Sequence, residues 1–111
     1  MKTFAIITAR SGSKSIKNKN LINVLNKKLI EYPINIAKKT KSISEIFVDT
    51  DGEDIAKVAK KNNCKVLMRP RNLRGDSISH TEVIRNSINT IEDNFQKFDI
   101  AVVMLLLETC W

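Results

Sequence analysis

Short apolar runs alternate with amphipathic stretches along most of the chain. Four runs are rich in β-branched or aromatic residues and are bounded by polar ones, which predicts strands at residues 3–9, 45–50, 65–69 and 100–107. These runs are apolar without a polar face, as is typical of strands that are covered on both sides in a parallel sheet.

Three amphipathic stretches between the runs predict helices. The first covers residues 30–40. Asp51 is expected to cap the second, which ends near residue 62. Ser79 and Glu82 have the spacing of a capping box at the start of the third. The three apolar stripes are Ile30, Pro33, Ile34 and Ala37; Ile55, Val58 and Ala59; and Ile84, Ser87, Ile88, Ile91 and Phe95.

Strands that alternate with helices in this way indicate right-handed βαβ units. We expect a single α/β domain over residues 1–111, with three layers around an open, mostly parallel sheet. Ligands of such sheets bind beyond the carboxyl ends of the strands. The segments 10–20, 49–52 and 69–76 follow the first three strands, so their polar side chains are predicted to meet at that edge.

Composition narrows the class of protein. Of the 111 residues, 42% are hydrophobic and 28% are charged, which is ordinary for a globular chain and argues against disorder. The longest apolar run is far shorter than the roughly 20 residues that a membrane helix needs, and no signal peptide is recognised, so a cytoplasmic protein is expected. Cys64 and Cys110 follow no metal or redox spacing, which predicts free thiols and no disulfide.

Positive charge is concentrated in the first third of the chain. The net charge is +7, and residues 1–41 contain ten Lys or Arg and one acid, Glu31. Such asymmetry suits a nucleic acid, but it suits a small polyanion such as a nucleoside triphosphate equally well. The charge pattern alone leaves both open.

The first loop, ARSGSKSIKNKN, carries the residue types of an anion site. Backbone N–H groups around Ser and Gly can hold a phosphate; Arg10 offers a bidentate guanidinium, and Lys14 and Lys19 offer point charges. A Walker A loop is excluded because Ser13 precedes the lysine and Gly12 is the loop's only glycine. A solvated basic loop is the alternative.

Three other residues are of types that can bind a metal ion or act in catalysis. Asp49 and Asp51 at a strand end could hold Mg²⁺, but we favour Asp51 as a helix cap. His80 has no acid or base partner that the sequence identifies, so we expect a surface residue near a helix start.

Several spaced motifs resemble those of the acylneuraminate cytidylyltransferases (CMP-sialic acid synthetases). ARSGSKSIKNKNL resembles the family's A-R-S/G-G-S-K-G-I-x-x-K-N, and KKLIEYPINIAKK resembles its K-P-L-I-x-Y-T-I-x-A-A. VDTDGEDIAKVAKKNN and RPRNLRGD resemble two further motifs, V-S-T-D-x-x-E-I-A and R-P-x-x-L-x-x-D. Together these cover about the first hundred residues.

The resemblance implies a fold like that of nucleotide-diphospho-sugar transferases. It also implies a cytoplasmic enzyme that joins CTP to a nine-carbon acidic sugar, giving a CMP-sugar and pyrophosphate. The full-length family is homodimeric, and its Mg²⁺ ligands lie in the C-terminal half. Carried over by motif, the nucleotide-binding residues would be Arg10, Ser11, Gly12, Ser13, Lys14, Lys19, Asn20, Arg69 and Ser79. Arg10 and Lys19 would hold phosphates, and Asn20 would bind the base.

The chain departs from the family pattern at several places. Thr8 stands where the family usually has proline or a small residue, and Ser15 replaces its glycine; both changes are mild. Ile78 and His80 stand where the family has serines near the ribose, and the adjacent Ser77, Ser79 and Thr81 could substitute. The family continues with Q-P-T-S-P, whose glutamine reads the base, whereas this chain ends LETCW. We therefore expect a shortened copy with impaired activity. The alternative function is a basic domain that binds nucleic acid without catalysis, although few aromatic side chains are present for stacking.

Overall fold

The computed structural model describes residues 1–11, 19–74 and 78–105, with side chains of the last strand described through residue 104. Its elements, in chain order, are β1 (Thr3–Ala9), a 3₁₀ turn (Lys19–Leu21), β2 (Asn23–Val24), β3 (Lys27–Lys28), α1 (Glu31–Lys39), β4 (Ile43–Thr50), α2 (Glu53–Lys61), β5 (Lys65–Met68), a second 3₁₀ turn (Arg71–Leu73), α3 (His80–Asn94) and β6 (Ile100–Leu105).

The main sheet has the order β5-β4-β1-β6, and all of its neighbouring strands are parallel. In this register Thr8 of β1 lies opposite Asp49 of β4 and Leu105 of β6. The chain builds outward from β1 to β5 and then returns to the other side of β1. The reversal of strand order therefore falls beside β1, where open α/β sheets form their ligand crevice.

Helices cover both faces of the sheet and give the predicted three layers. On one face α1 and α2 pack against the strands through a cluster of Ile7, Ala9, Ile30, Ile34, Val48, Ile55, Ala59 and Cys64. On the other face, the buried cluster is Phe4, Ile6, Phe47, Leu67 and Ile91, the last of these on α3. Successive residues of a strand point to opposite faces, which explains why Ile6 and Ile7 belong to different clusters. The predicted α/β class is confirmed.

Helix boundaries follow local signals with one exception. Ser79 Oγ accepts a hydrogen bond from the Glu82 N–H, as the capping-box spacing predicts. The prediction that Asp51 caps α2 is wrong: the N-cap is Gly52, and the Asp51 carboxylate turns away to the segment after β1. The second helix ends at its predicted place, where Asn63 takes the left-handed conformation (φ 64°).

The short β2–β3 hairpin was not predicted. Its two turn residues, Leu25 and Asn26, both have positive φ, as a two-residue hairpin turn of type I′ requires. The Tyr32 hydroxyl donates to the Val24 carbonyl and fastens the hairpin to the start of α1. In the described ranges, the helices lack the length and apolar character that crossing a membrane would require.

Candidate functional site

Polar segments meet at the carboxyl edge of the sheet. They follow β1, β4 and β5, three adjacent strands of the sheet whose ends lie side by side. The meeting at one edge that the sequence predicted is therefore confirmed for the parts of these segments that the structure describes.

The segment after β1 is fastened to the start of α2. The Ser11 N–H donates to Asp51 Oδ1 over 2.7 Å. A Cβ on Gly52 would lie only 2.9 Å from the Ser11 Cβ, closer than two such atoms can approach. Gly52 has an ordinary negative φ of −111°, so it is required here for space and not for backbone freedom. The lack of a side chain at Gly52 lets Ser11 lie close to the start of α2.

Asn20 presents a buried acceptor at the same edge. The side chain is 8% exposed, and its Nδ2 donates to the Arg10 carbonyl over 3.1 Å. This bond fixes the orientation of the amide. Its Oδ1 has no hydrogen-bond partner among the described residues, although a buried polar atom in that state is costly. An oxygen held in this way suits a ligand that brings an N–H donor.

Arg69 lies on the α3 face of the sheet, in a buried polar cluster. Its Nε donates to Asp49 Oδ1 over 2.7 Å, and Ser87 Oγ donates to Asp49 Oδ2 over 2.7 Å. Asp49 and Ser87 are fully buried and Arg69 is 6% exposed. We name these three residues the Asp49 cluster. The carboxylate that pairs with Arg69 is therefore a buried one.

The start of α3 approaches the end of β1. His80 is the first residue of α3 and is exposed, as predicted, and its Nε2 lies 3.0 Å from Thr8 Oγ1. The Ser79 hydroxyl oxygen accepts the capping hydrogen bond from the Glu82 N–H. The same hydroxyl can therefore still donate a hydrogen bond to another group. These side chains border the edge from the α3 side.

The predicted site residues divide into three groups. Arg10, Ser11, Lys19 and Asn20 belong to the segment after β1, and Arg69 and Ser79 border the edge from the other face. Gly12, Ser13 and Lys14 lie outside the described residues, as does Cys110. Nucleotide binding by these residues stays a prediction.

Sequence reasoning missed the roles of Asp49 and Ser87. Asp49 lies two residues after Phe47 on β4, so both side chains point to the same face of the sheet. Ser87 is a polar residue within the otherwise apolar stripe of α3. Together these signals place two polar groups inside one core. They could have indicated a buried pairing, but only once α3 was known to cover that face of the sheet.

No group of three or more His, Cys, Asp or Glu side chains comes together as a metal site in the described ranges. Cys64 is buried beside α2, and this burial raises the pKa of its thiol. A buried, protonated thiol is a poor nucleophile, so Cys64 belongs to the core.

An open parallel sheet with polar loops gathered beyond the carboxyl ends of its central strands defines a ligand-binding α/β protein of the doubly wound type. The family model described as cytidylyltransferase matches residues 4–102. The chain therefore belongs to the cytidylyltransferase family, and the resemblance seen in its motifs is confirmed.

Curated relatives agree with this assignment. The chain is 39% identical over 100 residues to the pseudaminic acid cytidylyltransferase of Campylobacter jejuni, covering 89% of this chain and 43% of the relative. It is 35% identical over 92 residues to the N-acylneuraminate cytidylyltransferase of Escherichia coli, covering 83% and 22%. The chain spans less than half the length of these relatives.

A solved structure shows the same fold. The CMP:2-keto-3-deoxy-manno-octonic acid synthetase complexed with CTP superimposes with a TM-score of 0.77 at 23% identity, covering 95% of this chain and 40% of that one.

Proposed function

We propose that this chain is the nucleotide-binding part of a cytoplasmic cytidylyltransferase that joins CTP to a nonulosonic acid, a nine-carbon acidic sugar. Family membership supports the reaction class, and the two relatives above are named for acids of this kind. Dimerisation, which the motif resemblance implies for the full-length family, belongs to the same proposal.

One observation carries the nucleotide site: the buried Asn20 Oδ1 without a partner in the described structure. The Arg10 carbonyl holds the amide so that its oxygen is free to accept. The exocyclic amino group of cytosine is a donor of the required kind. Uracil presents a carbonyl at the same ring position and would leave Asn20 unsatisfied.

Charge at the edge fits the rest of the substrate. The sugar hydroxyl attacks the α-phosphorus of CTP and releases its proton to water. A new O–P bond forms, the bond from the α-phosphorus to the bridging oxygen breaks, and pyrophosphate leaves with the electron pair. Nucleotidyl transfer depends largely on positioning and charge compensation. Arg10 and Lys19, on the segment after β1, are the cationic side chains that we assign to the phosphates.

A magnesium ion is implied by the resemblance, and the two carboxylates at this strand end, Asp49 and Asp51, do not fit it. Both oxygens of Asp49 are used by Arg69 and Ser87, and Asp51 holds the Ser11 N–H. A Mg²⁺ site needs carboxylate oxygens that face the phosphates. Asp49 and Asp51 are therefore engaged in contacts within the protein and are not assigned to a metal ion.

Titration calorimetry with CTP and UTP tests the proposal. We expect the folded protein to bind CTP more tightly than UTP, and Asn20→Ala to weaken CTP binding by about tenfold or more because the base loses a buried acceptor. Asn94→Ala is the matched control, since Asn94 also donates over 3.1 Å to a main-chain carbonyl but lies at the far end of α3. Its affinity for CTP should be unchanged.

Two results would contradict the proposal. One is a protein that is folded by circular dichroism and does not bind CTP. The other is tight oligonucleotide binding that falls steeply with added salt and is indifferent to CTP, which would favour the nucleic-acid alternative.

A further inference from the structure

The Asp49 cluster joins three separate parts of the chain inside the core. Asp49 comes from the end of β4, Arg69 directly follows β5, and Ser87 lies in the middle of α3. The two hydrogen bonds are each 2.7 Å, and they use one oxygen each of the Asp49 carboxylate. Each oxygen of the buried Asp49 carboxylate therefore accepts a hydrogen bond within this cluster, as a buried anion requires.

The contact with Arg69 is made through Nε alone. Among the described contacts, Asp49 accepts from Nε and from neither Nη nitrogen, so this ion pair does not use the donors at the outer end of the guanidinium. The main chain of Arg69 is also held: its N–H donates to the Thr50 carbonyl over 2.8 Å, and its carbonyl accepts from Arg74 Nε over 2.8 Å. Hydrogen bonds therefore hold Arg69 both at its main chain and at the Nε of its side chain.

Apolar residues surround the cluster on this face of the sheet. Phe47 and Leu67 precede the two charged residues by two positions on their strands, and Ile91 follows Ser87 by one helical turn. A buried ion pair is weak evidence for stability, because apolar side chains of similar volume often serve a core as well. An ion pair does, however, fix the orientation of a planar, charged group such as the guanidinium of Arg69.

We propose that Asp49 and Ser87 are positioning residues, which hold the Arg69 guanidinium so that its Nη groups meet phosphate oxygens of the nucleotide. This inference rests on the proposed function, because it takes the ligand to be CTP. Ser87 orients Asp49, and Asp49 orients Arg69, so neither residue needs to contact the ligand itself.

The sign of the effect of Asp49→Asn separates positioning from simple electrostatics. Removal of a negative charge near a triphosphate would by itself tighten binding. If Asp49 positions Arg69, Asp49→Asn weakens CTP binding by roughly three- to tenfold, and cytidine, which has no phosphate, binds as before. Ser87→Ala, which changes no charge, should weaken CTP binding in the same direction by a smaller factor.

Calorimetry on these variants, with Arg69→Met and the double variant Asp49→Asn/Arg69→Met, provides the test. The double variant should bind CTP no more weakly than Arg69→Met alone, because Asp49 acts only through Arg69. Ile91→Val is the control for lost stability: it weakens the same helix contact without touching the cluster, and its CTP affinity should be unchanged.

The failures are distinguishable. If the unaltered protein binds CTP and both Asp49→Asn and Ser87→Ala bind it equally well or better, the positioning role is wrong and the proposed function stands. Equal losses for CTP and cytidine also overturn the positioning role. If the unaltered, folded protein does not bind CTP, the proposed function fails, and the inference fails with it. Should Asp49→Asn not fold, Ser87→Ala decides alone.

Discussion

Gly52 shows how one absent side chain shapes the edge of the sheet. Its N–H donates to Thr50 Oγ1, and its Cα faces Ser11 at a distance that leaves no room for a Cβ. Any other residue would push Ser11 away from the start of α2. The Ser11 N–H bond to Asp51 depends on this close approach.

Substitution of Gly52 is therefore predicted to be unfavourable for steric reasons. Gly52→Ala should destabilise the fold by about 1–3 kcal/mol and weaken CTP binding, because Ser11 must move. Gly52→Ser separates this cause from capping, since serine is a better N-cap than alanine but carries the same Cβ. Thermal unfolding and calorimetry measure both effects. A Gly52→Ser variant as stable as the unaltered protein would show that capping, and not space, decides at this position.

Individual residues were predicted well where a signal is local. The stripe of α1 and the Ser79 cap depend on neighbours within one or two helical turns, and the structure confirms both. The Asp51 cap failed because a residue 40 positions away, Ser11, offers its N–H to the same carboxylate. Local reasoning cannot weigh such a competitor.

Glu31 connects three elements. Its carboxylate accepts from the Lys28 N–H at the end of β3 and from Asn62 Nδ2 at the end of α2, while Glu31 itself begins α1. The hydrogen bond from Lys28 is the main cause that lowers the pKa of Glu31 below its ordinary value near 4.5; partial burial opposes it. The hairpin, α1 and α2 are linked through this one anion.

Stability should therefore depend on pH through Glu31. A carboxylate whose pKa is lower in the folded state stabilises the fold above its unfolded pKa, and the contribution is lost as pH falls through the folded pKa. Glu31→Gln should be less stable than the unaltered protein at neutral pH, and the difference should shrink as pH falls below 4.5. Urea unfolding across this range measures it.

Asp93→Asn is the control for this pH effect, because Asp93 is an exposed carboxylate on α3. Its difference from the unaltered protein should vary little over the same range. A constant gap between Glu31→Gln and the unaltered protein at all pH values would show that the charge of Glu31 is unimportant.

Among the elements, the four strands of the main sheet and the three helices could be predicted, and the hairpin could not. The strands are marked by apolar runs and the helices by stripes, whereas β2 and β3 have two residues each and are largely exposed. Their turn uses Leu25 with positive φ, although leucine is unfavourable there. Tertiary contacts such as the Tyr32 hydroxyl bond override the local preference.

At the scale of the molecule, β6 forms one edge of the described sheet and exposes apolar surface. Val102 and Val103 are 38% and 37% exposed, and a groove of about 500 Å³ runs beside α3, with Ile84 and Ile88 among its lining residues.

This exposure should be measurable with a hydrophobic dye. We expect the double variant Val102→Thr/Val103→Thr to reduce the fluorescence of anilinonaphthalene sulfonate bound to the protein, because it replaces methyl groups with hydroxyls at the exposed strand. Val24→Thr, at a similarly exposed valine on the hairpin, is the control and should reduce the signal much less. Equal reductions would mean that the dye does not favour the β6 surface.

The central position of β1 has a consequence for synthesis of the chain. Although β1 is made first, it lies between β4 and β6, so its two sides are completed at different times. Pairing with β4 can begin once residue 50 has left the ribosome, but the other side of β1 waits for residues 100–105. During that interval, one edge of β1 in the nascent chain has no partner strand, although β1 is largely buried in the folded protein. We expect binding of a chaperone to protect the chain most at this stage.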